Sequence, residues 1–300
     1  MTGLGALIKR NCKLFFKDKG MFITALITPM ILLVLYATFL RNVYYDSFSS
    51  ALPAILNVSE DLINGTVGAQ LISSLLAVSC VTVGFCSNML MVQDKVTGSR
   101  KDLTMTPVKK STMALGYYAA TVISTLLVCL AATGLCLVYL SQVGWYMSGT
   151  DVLFLVLDVI LLVLFGACLS SIINTFLSTQ GQISAVGTVV SAGYGFLCGA
   201  YMPISNFSDG LQKVLSFLPG TYGTSLLRNH ALAGCFREME NCGFPKEVVE
   251  SIRDSIDCNL YFFGEKVGVN QMYLILGGAV LALLGLFVLL TYLSIRKNSK

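Results

Sequence analysis

"SRKDLTMTPVKKSTM", residues 99–113, is a basic stretch with three Thr, two Ser and one Pro, set between two long apolar runs. Charges are costly inside hydrocarbon. If the flanking runs span a membrane, this stretch is a loop at its surface, and its charge says which surface. The whole chain favours spans. Its 300 residues are 55% hydrophobic and 12% charged, whereas a soluble domain carries about 25% charged residues. The apolar residues are bunched into long runs and do not follow a one-faced helix or strand period.

Six runs reach membrane length: 21–40, 69–91, 112–140, 152–174, 183–202 and 272–295. At ~1.5 Å per residue, ~20 residues cover the ~30 Å hydrocarbon core. Backbone in lipid must satisfy its own hydrogen bonds, so each run predicts a helix. The alternation of a β-barrel is absent. Pro29 predicts a kink or break in the first run. Gly187, Gly193, Gly195 and Gly199 fall in the fifth and predict close packing against neighbours. No small-residue cleavage site follows 21–40, so this run reads as a first span and not as a signal peptide.

Lys and Arg then orient the chain. Lys9, Arg10, Lys13, Lys17 and Lys19 precede the first run, Lys95, Arg100, Lys101, Lys109 and Lys110 lie between the second and third, and Arg296, Lys297 and Lys300 follow the last. The loop after the first run has only Arg41, and the loop after the third has no Lys or Arg. The positive-inside rule therefore places both termini and the 93–110 loop in the cytoplasm of a multi-pass cell-membrane protein. Six spans agree with that parity.

Two further segments have their own pattern. In "LGALIKRNCKLFFKDKG", residues 4–20, Leu4, Leu7, Ile8, Leu14 and Phe15 recur at helical spacing, with the Lys and Arg mostly opposite. Residues 1–20 predict an amphipathic helix in the headgroup plane, the alternative being a basic tail that only sets topology. In 203–234, Leu211, Val214, Leu215 and Leu218 make one apolar face, Pro219–Gly220 interrupts it, and Leu226, Leu227 and Leu232 resume it. Neither half is long enough to span. They predict a re-entrant hairpin dipping into the outer leaflet, or else a small ectodomain helix pair. Residues 235–270 predict an extracellular cap. Pro245 starts a helix there, and Val248, Val249, Ile252 and Ile256 form its apolar face.

The order of these elements resembles the membrane subunit of an ABC-2 type transporter, the permease half of many bacterial ABC exporters. Two stretches carry the resemblance. "QDKVTGSRKDLTMTPVKKSTMALGYY", residues 93–118, is similar to the family's loop before span three, with Asp94, Gly98, Leu103, Thr106 and Pro107 at the matching positions. "GAYMPISNFSDGLQKVLSFLPGTYGTSLLRNHAL", residues 199–232, is similar to the end of span five and the hairpin, with Pro203, Pro219, Tyr222 and Arg228. Arg100 and Lys101 are more basic than the family pattern, which often has Glu where Asp94 stands. The 235–268 insertion departs from it altogether.

The resemblance implies an all-α membrane fold in a single 1–300 domain, a dimeric path, and coupling to a separate cytoplasmic ATP-binding cassette ATPase. The coupling loop would carry Asp94, Gly98, Arg100, Lys101, Leu103, Thr106 and Pro107. ATP would sit on the partner, and this chain would bind no cofactor. The sequence agrees on one point independently, since no G-x-x-x-x-G-K-[ST] loop occurs in it. The expected partners are that ATPase, a second permease copy, identical or related, and the lipid membrane. The expected substrate is an amphipathic small molecule, a lipid-linked compound or a peptide. Pro107 predicts the end of a short helix, with Ser111 as N-cap of span three.

Other chemistry has weak support. His230 is the only His and has no neighbouring nucleophile in sequence. The ten Cys contain no C-x-x-C pair, which argues against zinc. Cys235, Cys242 and Cys258 share the cap, so at most one disulfide could form among them. The net charge of +4 is accounted for by the cytoplasmic edges, leaving no basic patch for nucleic acid. Asp158 is the one acid deep in a span, and it shares a helix face with Asp151. It predicts a contact in the translocation path or subunit interface, or alternatively an acid bonded to a neighbouring span or wetted by headgroups. The competing function is an ATP-independent channel or a membrane-embedded enzyme. A catalytic constellation in the spans would mark the enzyme, and the sequence presents none. An ATPase that co-purifies would mark the transporter.

Overall fold

The computed structural model describes residues 3–42, 45 and 59–297. Most of the predicted loop after the first run, and Lys300, lie outside the described residues. Helix α1, Leu4–Lys17, turns Leu7, Asn11 and Phe15 inward and leaves Lys9, Lys13 and Lys17 exposed. Of the predicted apolar stripe Leu7 and Phe15 are buried, Leu4 and Ile8 are half-buried, and Leu14 is exposed. A bend of 73° at Asp18 separates it from α2, Lys19–Leu35. The Asp18 carboxylate accepts from Met21 N at 3.0 Å and so caps α2. Helix α2 runs through Pro29 and passes into a π turn, Tyr36–Leu40.

Helix α3, Glu60–Asn88, is the centre of the molecule and is buried on nearly every side. It packs against α2, α6 (Lys110–Val143), α7 (Gly149–Phe176) and α10 (Pro219–Asn241). Its Ser, Thr, Gly and Ala positions let neighbours approach, and Thr66, Ser79 and Thr82 return their hydroxyls to carbonyls of their own helix. Two short helices, α4 (Leu90–Val96) and α5 (Ser99–Thr104), follow it. The Ser111 cap is corrected by the structure. Lys109 occupies the N-cap of α6, with no side-chain hydrogen bond.

Helix α8, Gln180–Leu197, starts with a capping box from Thr179 and Gln182 and stops earlier than the sequence predicts. Gly199 adopts φ +74°, and a Cβ there would press on Ile204 and the Asp257 carboxylate. The chain turns at that point into a 3₁₀ turn, Ile204–Asn206, and α9, Asp209–Leu215. Pro219 then opens α10 at its first position. Helix α10 continues through residue 234 to Asn241, so the edge between hairpin and cap falls inside one helix. At Gly234 a Cβ would lie 1.9 Å from the Tyr146 carbonyl oxygen, a backbone contact only Gly permits.

Helix α11, Lys246–Ser255, and a two-stranded antiparallel sheet complete the cap. The strands are β1, Leu260–Phe262, and β2, Glu265–Val267, a small departure from an all-helical chain. Helix α12, Val269–Lys297, closes the fold. Among the described residues four helices, Glu60–Val96, α6, α7 and Val269–Leu293, are long and apolar enough to cross a membrane. There are up to five if the bent α1–α2 pair is one span. Gln180 and Gln182 dilute the hydropathy of α8.

Candidate functional site

Between α2 and α8 lies a groove of about 1470 Å³, floored by α3 and α4. Met21, Ile27, Ile31 and Leu35 line one wall, and Ile183, Gly187 and Thr188 line the other. Tyr201, Met202 and Pro203, with Ile252 of α11 and Ile256 just after it, form the end near the 246–267 segment. The lining is mostly apolar with scattered hydroxyls and amides. Among the described residues the one charged side chain on it is Asp18, at the end near α1. Gln70 sits on the floor, 5% exposed, and its Nε2 finds no partner among the described residues. A large apolar cleft with a few uncharged polar groups suits an amphipathic ligand.

A second constellation stands at the base of α3–α4. Arg10 donates from Nη1 to Asp94 Oδ2 at 2.7 Å and from Nη2 to Asp94 Oδ1 at 3.0 Å, a two-point fork. Tyr117 of α6 donates to the same carboxylate. The Asp94 hydrogen bond raises the Arg10 guanidinium above its ordinary value. The adjacent Lys95 donates to the carbonyls of Asn174, Thr175 and Leu177 at 2.8, 3.0 and 2.7 Å. These are free carbonyls at the C-terminus of α7, where a cation is favoured. Two neighbouring residues thus pin α4 to α1, α6 and α7.

The predicted loop residues divide accordingly. Asp94 is buried and points into this clamp. Gly98 takes φ +84° and turns the chain outward. Beyond it α5 buries no residue. Lys101, Thr106 and Pro107 are exposed, Arg100 and Leu103 half-buried, and Met105 projects almost fully. Arg10, Tyr117 and Met105 are members that the sequence does not single out.

The remaining predicted residues are also bonded. Asp158 does not line the groove. Its Oδ2 lies 2.6 Å from His230 Nδ1, and its Oδ1 accepts from Tyr273 of α12. Phe154 stacks on the His230 ring at 5.1 Å. Asp151, seven residues earlier, pairs with Arg237, seven residues after His230. Helices α7 and α10 therefore run antiparallel with two matched polar rungs.

Pro203 leads the 3₁₀ turn, and Tyr222 donates to Ser216 O at 2.6 Å across the α9–α10 bend. Arg228 is buried. Its Nη1 donates to Asp257 Oδ2 at 3.2 Å, and its Nη2 to Gly199 O at 2.6 Å and Ser74 Oγ at 3.3 Å. Asp257 in turn accepts from Ile204 N at 2.5 Å and Ser205 N at 3.3 Å. One ion pair thus ties α10, α3, the end of α8 and the cap together. Among the described residues no three His, Cys, Asp or Glu side chains converge as metal ligands. All ten Cys are free thiols.

Residues 2–231 match a family model described as ABC-2 type transporter. A search of curated proteins returned no match.

Proposed function

This chain belongs to the ABC-2 type transporter family, and we propose that it is the permease subunit of an exporter driven by a separate ATPase. In this reading α1 lies on the cytoplasmic face. The six spans are α2, α3 with α4, α6, α7, α8 and α12, with both termini inside the cell membrane. Helices α9 and α10 form the re-entrant outer hairpin. The ATPase docks on α5 and the exposed side of α1. Asp94 serves that docking from within, because it holds α1 and α4 at one angle through Arg10 and Tyr117. This subunit hydrolyses no ATP itself.

The observation that carries the reading is the α2–α8 groove. It opens on the side where α2 and α8 present Ile23, Met30 and Val189 outward, so a second copy can close it into a shared path. Its volume of about 1470 Å³ exceeds the ~300–1,000 Å³ of ordinary ligand pockets. Its nearly uncharged wall favours an amphipathic small molecule, a lipid-linked compound or a peptide. A single Cys at Val189, in a variant lacking the native Cys, tests the dimer. Cross-linking should join two copies through Val189→Cys and fail through Leu281→Cys on the far face of α12. The reverse result would overturn this placement of the path.

A further inference from the structure

We propose that the β1–β2 tip and Phe217 form an aromatic wedge whose partner is outer-leaflet lipid at the boundary between headgroups and acyl chains. Phe217, Phe262 and Phe263 are 63%, 38% and 61% exposed. They meet one another edge-on, with centroids 5.3, 5.9 and 4.9 Å apart. Three rings in mutual contact with this much surface uncovered form an apolar patch, not scattered surface residues. The patch lies outside the long apolar helices, and its two chain segments lead directly into α10 and α12.

Depth follows from named contacts. Phe217 stands two residues before Pro219, where α10 begins. The first turns of α10 lie among the spans, since a Cβ at Gly223 would meet Leu162 of α7 and Leu276 of α12. On the other side Val269, which opens α12, follows β2 after one residue. Tyr273 in the first turns of α12 reaches Asp158 of α7. The patch therefore lies beside α7, α10 and α12, where both of its chain segments enter the helical body.

The hairpin sorts its side chains to match. Tyr261 pairs with Lys266 across the strands, and both turn toward α11. Tyr261 donates to Asp254 Oδ1 at 3.0 Å, and Lys266 Nζ to Glu250 Oε1 at 3.2 Å. Alternation along a strand sends Phe262 the other way, toward Phe217. The turn itself places Phe263 at φ +51° and Gly264 at φ +92°. A two-residue turn with both φ positive ordinarily takes Asn-Gly, and a bulky residue at φ > 0 is disfavoured. Phe263 meets only the edges of Phe217 and Phe262 among the aromatic rings and stays 61% exposed, so most of its surface is left for a partner outside the chain. Aromatic rings at the headgroup level are a recurrent membrane anchor.

The wedge also has a bearing on the groove. Asp257, three residues before β1, holds Arg228 and the Ile204–Ser205 backbone. Ile252 of α11 and Ile256 just after it line the outer end of the groove. A lipid-seated tip thus fixes the wall that frames the outer mouth. The β1–β2 tip lies beyond residues 2–231, the region matched by the family, and Phe217 lies within it.

The test uses Trp fluorescence of the full chain in phosphatidylcholine vesicles whose acyl chains carry bromine near the carbonyl end. Trp145, the one native Trp, is replaced by Phe, and the reporter is Phe263→Trp. A control reporter is Glu247→Trp, on the exposed side of α11. The wedge predicts blue-shifted emission and loss of most intensity for the first reporter, with water-like, unquenched emission for the second. Water-like emission from position 263 would overturn it. So would a blue-shifted signal that bromine leaves intact, which would assign the patch to a second copy.

Discussion

At the residue scale, the group with most at stake is a guanidinium that touches no solvent. Arg228 has a side chain 1% exposed and donates to Asp257, Gly199 and Ser74. Removing one partner of such a pair leaves a buried charge without compensation, at a cost of about 3–5 kcal/mol. Arg228→Met should therefore lower the unfolding midpoint strongly. Adding Asp257→Asn should recover part of the loss, because no buried charge then remains and Asn keeps an acceptor for Ile204 N. A double variant no more stable than Arg228→Met would show that the Arg is needed for its packing alone. The resemblance pointed to Arg228, but Asp257 lies 29 residues on, inside the insertion, and nothing local marks it as the partner. Asp94 is a similar case. A carboxylate in a basic loop looks the same in sequence whether it faces a partner protein or, as here, an Arg 84 positions away. His230 looks isolated in sequence because its partner, Asp158, sits on another helix.

At the element scale, the loop from Gly98 to Pro107 is held at its base and free at its tip. Asp94 and Lys95 fix the base, while α5 buries nothing. Such an element can carry force from a docked partner to α1, α6 and α7. Changing Arg100 and Lys101 together to Glu should reduce the ATPase that co-purifies with the permease and uncouple its hydrolysis from transport. One exposed ion pair contributes only ~0.2–1 kcal/mol, so a single change is expected to be weak. Orientation is checked in the same sample, since added acid also weakens the positive-inside signal. Unchanged co-purification with correct orientation would leave the loop as a topological anchor. The helices themselves were legible from hydropathy, and their ends less so. The 183–202 run was expected to pass residue 199, but Gly199 turns the chain with positive φ. The predicted hairpin edge at 234 dissolves because Gly234 lets α10 continue past the Tyr146 carbonyl. Both ends depend on tertiary neighbours that the local pattern does not contain.

At the scale of the whole molecule, the sequence already carries the class of fold. Bunched apolar runs separated by short stretches rich in Lys and Arg describe a multi-pass membrane protein. The groove was not legible, because it is built from α2, α3, α8 and the cap, whose residues span 18 to 256. In the proposed reading a second copy closes it, because the α2–α8 side is open, apolar and lined with almost no charge. The central claim is a permease dimer served by ATPase subunits. Native mass spectrometry of the tagged chain, released gently from its own membrane, tests that claim most directly. The account predicts an assembly of two permease copies, this chain twice or with a related one, and two copies of a soluble ATP-binding subunit. A lone 300-residue chain that transports without any ATPase bound would contradict it.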